Sequence, residues 1–100
     1  KFNIDKMFFS SHGINEKGII IDTSLPETQL RKCVMNQSKQ SFFLCDKTKI
    51  SASAPYNLAS VEEADYTITD TEISFDFLPE NHNCKIVFGG PEVAYAVKMY

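Results

Sequence analysis

Asp46 and Lys49 stand three residues apart, directly after the apolar run Phe42-Phe43-Leu44-Cys45. A carboxylate accepts hydrogen bonds from hydroxyl groups, and an ammonium neutralises a phosphate. The pair therefore suits a small polar ligand such as a phosphorylated sugar. Acids and lysines also follow strands where no ligand binds, so the spacing alone leaves both readings open. Further groups able to do chemistry are His12 with Gly13, Asp70, and Gly89-Gly90. Glycine lets backbone N–H groups approach a ligand closely, and Gly89-Gly90 ahead of a helix could hold a phosphate through its amides. Those glycines lack the spacing of a phosphate loop or a dinucleotide fingerprint, and read equally well as turns alone. Ser10-Ser11-His12 does not read as a nucleophile with its base. Adjacent strand residues point to opposite faces, and no acid is placed to orient the histidine. His82, among Pro79, Asn81 and Asn83, reads as a solvated loop residue, and Glu62-Glu63 as an exposed helix end.

These residues can act together only if the elements carrying them meet at one edge. Lys6 to Ser11 is a short apolar strand candidate, ended by His12-Gly13, and Gly18 to Asp22 is a second β-prone run. Ser24 and Glu27 then have the spacing of a capping box, with Pro26 in the first turn, where its missing N–H costs nothing. Leu30, Cys33, Val34 and Gln37 follow at helical spacing, which predicts a helix to about Ser38 with that stripe facing the core. Ser41 to Cys45 is continuously apolar, as a strand buried on both faces should be. Ile50 to Tyr56 reads as a loop, and Leu58 to Ala64 as a short helix capped by Asn57. Tyr66 to Thr69 is a β-branched strand stopping at Asp70. Ile73, Phe77 and Leu78 suit a helix capped by Thr71, although Ile73 to Phe77 also alternates as a strand would. Lys85 to Phe88 is a last strand, and a terminal helix could start at Pro91. Strands alternating with helices predict βαβ units, a parallel sheet covered by helices, and ligands outside the carboxyl ends of the strands. His12, Gly13, Asp46, Lys49, Asp70, Gly89 and Gly90 would all lie on that edge.

One hundred residues fit one small domain or a piece of a larger one. A chain 43% apolar and 23% charged has the composition of a folded domain and no sign of disorder. A net charge of −3 with acids and bases interspersed repels DNA phosphates, so this segment is not expected to hold nucleic acid itself. The cysteines, Cys33, Cys45 and Cys84, are odd in number and have neither zinc-ligand spacing nor a disulfide framework. They read as buried free thiols in a reducing cytosol, with no metal and no cofactor. No apolar run reaches the ~20 residues that span a bilayer, and no secretory signal opens the chain, which predicts a cytoplasmic protein without a membrane partner.

Several of these pieces together resemble a known family. Asp5-Lys6-Met7-Phe8-Phe9, Gly13-Ile14, Gly18, the capped helix from Glu27 to Lys32, Asp46-x-x-Lys49, and Ala64-Asp65 through Thr69-Asp70 resemble the sensor domain of the DeoR family of bacterial transcriptional repressors. The resemblance spans roughly residues 5 to 70 and extends more loosely to Phe88. It implies a Rossmann-like α/β fold, a mostly parallel sheet flanked by helices, of the kind shared with ribose-5-phosphate isomerase and CoA transferases. It also implies a homo-oligomer that senses a phosphorylated sugar or related metabolite. Gly13, Glu27, Asp46, Lys49 and Asp70 would form the ligand edge, with Lys49 on the phosphate and the acids on hydroxyls or fixing the lysine. Two departures stand out. The family's N-terminal winged helix-turn-helix and an earlier glycine-rich loop are not in these residues, which implies that residues 1–100 are the later portion of a larger sensor domain and that DNA is contacted only through the N-terminal domain. Ile50-Ser51-Ala52 also stands where the family often has an aromatic residue followed by glycine. The expected function is thus a regulatory binding module. The rival is a phosphosugar isomerase with Asp46 or Asp70 as base and Lys49 stabilising an enediolate, and a third reading is an assembly domain without a ligand.

Overall fold

The structure, a computed structural model, describes residues 3–70 and 85–89. In chain order its elements are β1 (Ile4–Phe9), β2 (Gly13–Ile14), β3 (Ile19–Asp22), α1 (Leu25–Asn36), β4 (Ser38–Cys45), a 3-10 turn (Lys47–Lys49), β5 (Tyr56–Ser60), a second 3-10 turn (Val61–Glu63), β6 (Tyr66–Thr69) and β7 (Lys85–Phe88). β1, β4, β6 and β7 form a parallel sheet in that spatial order, and β2, β3 and β5 form a smaller antiparallel sheet. The α/β, mostly parallel, Rossmann-like architecture expected from the sequence is therefore present. The small sheet is drawn from two successive crossovers: β2 and β3 lie between β1 and β4, and β5 lies between β4 and β6. That shared construction ties the loop after β1 to the loop after β4.

Strict alternation of strand and helix does not hold. Gly18 to Asp22 does supply a strand, but in the antiparallel sheet. Only the turn Asn15–Gly18 separates β2 from β3, whereas a parallel crossover needs about a dozen residues or more. The Asn15 side-chain oxygen accepts the N–H groups of Lys17 (2.9 Å) and Ile19 (3.0 Å), and Gly18 takes a φ of 77° that closes the turn.

The helix expected over Leu58 to Ala64 is also absent. Tyr56 to Ser60 pairs with β3 instead, and a seven-residue helix has too few hydrogen bonds to offset its nucleation cost. Ser60, not Asn57, is the cap: its hydroxyl accepts from Glu62 N (3.3 Å), and Glu63 accepts from Ser60 N (2.7 Å). Glu62 and Glu63 are exposed, as expected, on a 3-10 turn.

Helix α1 begins where the sequence predicts, with the Ser24 hydroxyl accepting from Glu27 N (3.4 Å), and ends at Asn36 with Gln37 as its cap. Its buried stripe differs from the expected one. Val34 packs against the core as expected, but Leu30 is 64% exposed and Cys33 is exposed, whereas Thr28 is buried and Met35 joins Val34 on the core. Asp22 is buried at the end of β3 and its carboxylate binds the Arg31 guanidinium, so the face carrying Thr28 and Arg31 turns inward. The Asp22–Arg31 pair and the apolar contacts of Val34 and Met35 together accompany this rotation of the helix.

The core lies between the two sheets. Met7, Phe9, Phe43 and Cys45 from one face of the parallel sheet meet Ile14, Ile20 and Leu58 from the small sheet, with Val61 and Ala64 closing one side. On the other face, Phe8, Phe42, Tyr66 and Lys85 stand in register across four strands. Their rings stack at 4.5 Å and 4.8 Å, and the Lys85 ammonium lies 5.4 Å from the Tyr66 ring centre. The expected helices over Thr71–Leu78 and from Pro91, together with His82, Cys84 and Gly90, lie outside the described residues.

Candidate functional site

Cys45 and Thr69 are paired at the ends of β4 and β6, so Asp46 and Asp70 leave the sheet side by side at its carboxyl edge. Asp46 is 8% exposed and caps the 3-10 turn that follows: its Oδ1 accepts from Thr48 N (2.9 Å) and from the Thr48 hydroxyl. Its Oδ2 has no hydrogen bond among the described residues. Asp70 accepts from Lys47 N through Oδ1 (3.1 Å), which ties the turn to the end of β6. Lys49, half-buried, closes the turn with its N–H on the Asp46 carbonyl (3.1 Å). On the far side of Asp70, Gly89 N donates to Thr69 O (2.8 Å) and keeps the end of β7 in line. Two carboxylates and a lysine are thereby collected on one edge, and the turn between them is held by the N–H groups of Lys47, Thr48 and Lys49. Such an arrangement can accept hydrogen bonds from hydroxyls and neutralise one anionic group.

Gly13 is brought to this turn, though not as the end of β1. It lies in β2, where an added Cβ would stand 2.6 Å from the Lys49 carbonyl oxygen and 2.5 Å from Ala52 Cβ. Ile14 pairs with Ile50 and its carbonyl accepts from Ala52 N (2.9 Å). Gly13 is small because the chain leaving Lys49 runs against it. Ser11 supports this approach by donating its hydroxyl to Gly13 O (3.1 Å).

Glu27 stands apart. Its carboxylate is 63% exposed and lies 3.7 Å from Arg31, and among the described residues it makes no contact with Asp46, Lys49 or Asp70. It turns to Arg31 instead of completing a reciprocal box with Ser24. His12 is exposed and makes no side-chain hydrogen bond among the described residues. Asp65, part of the pattern that resembles the family, sits at the opposite edge: its carboxylate accepts from Ser41 N (2.8 Å) and its N–H donates to Ser41 O (3.0 Å), which aligns β6 beside β4.

Beneath the pair of acids, burial pushes the Cys45 thiol up from 9.0 to about 12; Lys49 opposes this, and Asp46 and Asp70 add to it. A thiol so held stays protonated at neutral pH and is no nucleophile. Among the described residues no three His, Cys, Asp or Glu side chains come together as a metal site.

Sequence reasoning missed three features here. Thr48 completes the hold on Asp46. Ser51 adopts a φ of 57°, left-handed backbone that favours glycine, at the position where the resembling family often carries glycine. A cleft of about 380 Å³ opens beside the turn, lined by Asn15, Glu16, Lys17, Ser51, Ala52 and Ser53, but not by Asp46, Lys49 or Asp70. The Asn15-to-Gly18 turn signal could have marked one wall of that cleft; nothing in the sequence joins it to the other.

No helix among the described residues is long and apolar enough to cross a membrane. No curated protein matches the chain. The family model of the DeoR C terminal sensor domain matches residues 1–71, a span that holds β1 to β6 and every candidate ligand residue from Gly13 to Asp70. The chain belongs to the DeoR C-terminal sensor domain family, the regulatory, effector-binding part of DeoR-type repressors.

Proposed function

We propose that this domain senses a phosphorylated sugar, with Lys49 meeting the phosphate and Asp46 and Asp70 meeting hydroxyls. Gly13 shapes the turn by letting the chain pass Lys49 closely, and Glu27 contributes through α1 and not by direct contact. One observation carries the reading: Asp46 is buried, its Oδ2 makes no hydrogen bond among the described residues, and a half-buried lysine stands on the same turn. A buried acceptor of this kind is costly unless something donates to it, and a ligand hydroxyl does so. The effector acts by binding one arrangement of a homo-oligomeric, cytoplasmic repressor more tightly than another, and the N-terminal DNA-binding domain reads out the shift. The domain binds without turning the sugar over.

The test is a thermal-shift screen of phosphorylated sugars on the complete repressor, with Lys49→Ala alongside. An effector at 100 times its dissociation constant stabilises the folded protein by about 2.7 kcal/mol, and the variant loses that response. If no sugar phosphate moves the transition, or if the variant responds as the parent does, the assignment of Lys49 fails. Conversion of the same compounds would point to an isomerase.

A further inference from the structure

The cleft of about 380 Å³ beside the turn has no part in the reading above, yet both its walls are held in place without a ligand. One wall is the Asn15–Gly18 turn, locked by the Asn15 side chain on Lys17 N (2.9 Å) and Ile19 N (3.0 Å) and by Gly18 N on Asn15 O (3.0 Å). The other is Ser51 to Ser53, pinned through Ala52 N on Ile14 O (2.9 Å) and the pairing of Ile14 with Ile50. Both walls hang from β2, so their separation is set by one short strand, and the cleft is preformed.

Its lining offers a carboxamide, a carboxylate, an ammonium and two hydroxyls around the Ala52 methyl. The Asn15 amide nitrogen makes no hydrogen bond among the described residues, because the side-chain oxygen holds the turn. Glu16 and Lys17 form no ion pair with each other or with any other described residue. Closely spaced donors and acceptors set among apolar surface of similar extent suit a sugar, which carries hydroxyls on its rim and C–H groups on its faces. Ser51 is two residues beyond Lys49, within ~7 Å along the backbone, so the cleft and the Lys49 turn are neighbours along the chain.

We infer that this cleft holds the far hydroxyls of the effector whose phosphate meets Lys49, beyond those met by Asp46 and Asp70, and that Asn15, Lys17, Ser51 and Ser53 decide which sugar is accepted. The inference rests on the phosphosugar reading above. Lys49 then supplies anchoring common to all sugar phosphates, and the cleft supplies discrimination, since a site built to hydrogen-bond particular hydroxyls leaves its polar groups unpaired when they are missing.

The experiment titrates the complete protein by calorimetry with ribose 5-phosphate, glucose 6-phosphate, fructose 6-phosphate and inorganic phosphate. It compares the parent, Lys49→Ala, and the double variant Lys17→Gln with Ser53→Ala. Both cleft substitutions lie on exposed side chains, and an unchanged melting temperature without ligand verifies the fold. The double variant is expected to lose about tenfold in affinity for the best sugar phosphate while inorganic phosphate binds as before; Lys49→Ala weakens both. A double variant that keeps the parent's affinities and ranking overturns the cleft assignment and leaves Lys49 standing. If Lys49→Ala also changes nothing, or no sugar phosphate binds the parent, the effector reading falls and the cleft assignment with it.

Discussion

Gly13 and Ser51 flank the chain that leaves Lys49, and they meet opposite difficulties. An alanine at 13 would put its Cβ 2.6 Å from the Lys49 carbonyl oxygen, a backbone atom that cannot swing aside. Gly13→Ala is therefore expected to destabilise by about 1–3 kcal/mol in urea denaturation and to displace the Lys49 turn. Ser51 bears a side chain at a φ of 57°, where left-handed backbone costs an L-residue about 1–2 kcal/mol. Ser51→Gly removes that cost and returns part of it as extra freedom in the unfolded chain, for a net gain of about 0.5–1 kcal/mol. A tolerated alanine at 13, or a destabilising glycine at 51, would contradict the geometry of this turn. Cys45 adds a pH signature. Its folded pKa is raised by burial from 9.0 to about 12, so below pH 9 both folded and unfolded chains keep the proton and the stabilisation is complete. Between pH 9 and about 12 the unfolded chain ionises and the folded one does not, so stability falls as pH rises. Cys45→Ala should flatten that alkaline decline. In the native protein a thiol-alkylating reagent should label exposed Cys33 and leave Cys45 untouched until the chain unfolds.

Elements were legible where one local signal dominated. β4 and β6 follow from a continuous apolar run and a β-branched run, and α1 begins at the Ser24 cap in front of Pro26. The rotation of α1 was not legible, because it depends on Asp22, nine residues before Arg31, being buried at the end of another strand. β5 was hidden for a similar reason: Tyr56 to Ser60 is a strand because β3 is there to pair with it, and no local pattern announces that partner. Arg31→Met tests the element-scale claim. It keeps much of the packing and strands the Asp22 carboxylate, which is 5% exposed, so unfolding free energy should fall by about 2 kcal/mol. The figure is below that for a fully buried pair because the Arg31 side chain retains 25% exposure. An unchanged stability would mean that apolar packing alone seats the helix.

Across the whole molecule, the site exists because two crossovers of a parallel sheet share a second, antiparallel one. Asp46, Lys49 and Asp70 could be grouped from the sequence, since strand order alone sends their ends to one edge. Gly13 reaches them by another route, through β2, and Glu27 remains with Arg31 on α1. The cleft as a whole was out of reach of sequence reasoning, because its walls come from segments more than thirty residues apart that meet through β2. The proposed function turns on phosphate recognition through Lys49 by a DeoR-type sensor domain. The most direct measurement is calorimetric titration of the complete repressor with its best sugar phosphate and with the same sugar unphosphorylated, for the parent and for Lys49→Ala. The parent is expected to prefer the phosphorylated form by tenfold or more, about 1.4 kcal/mol, and Lys49→Ala to erase the preference. Equal affinity for the two forms in the parent, or a preference that survives Lys49→Ala, would contradict it.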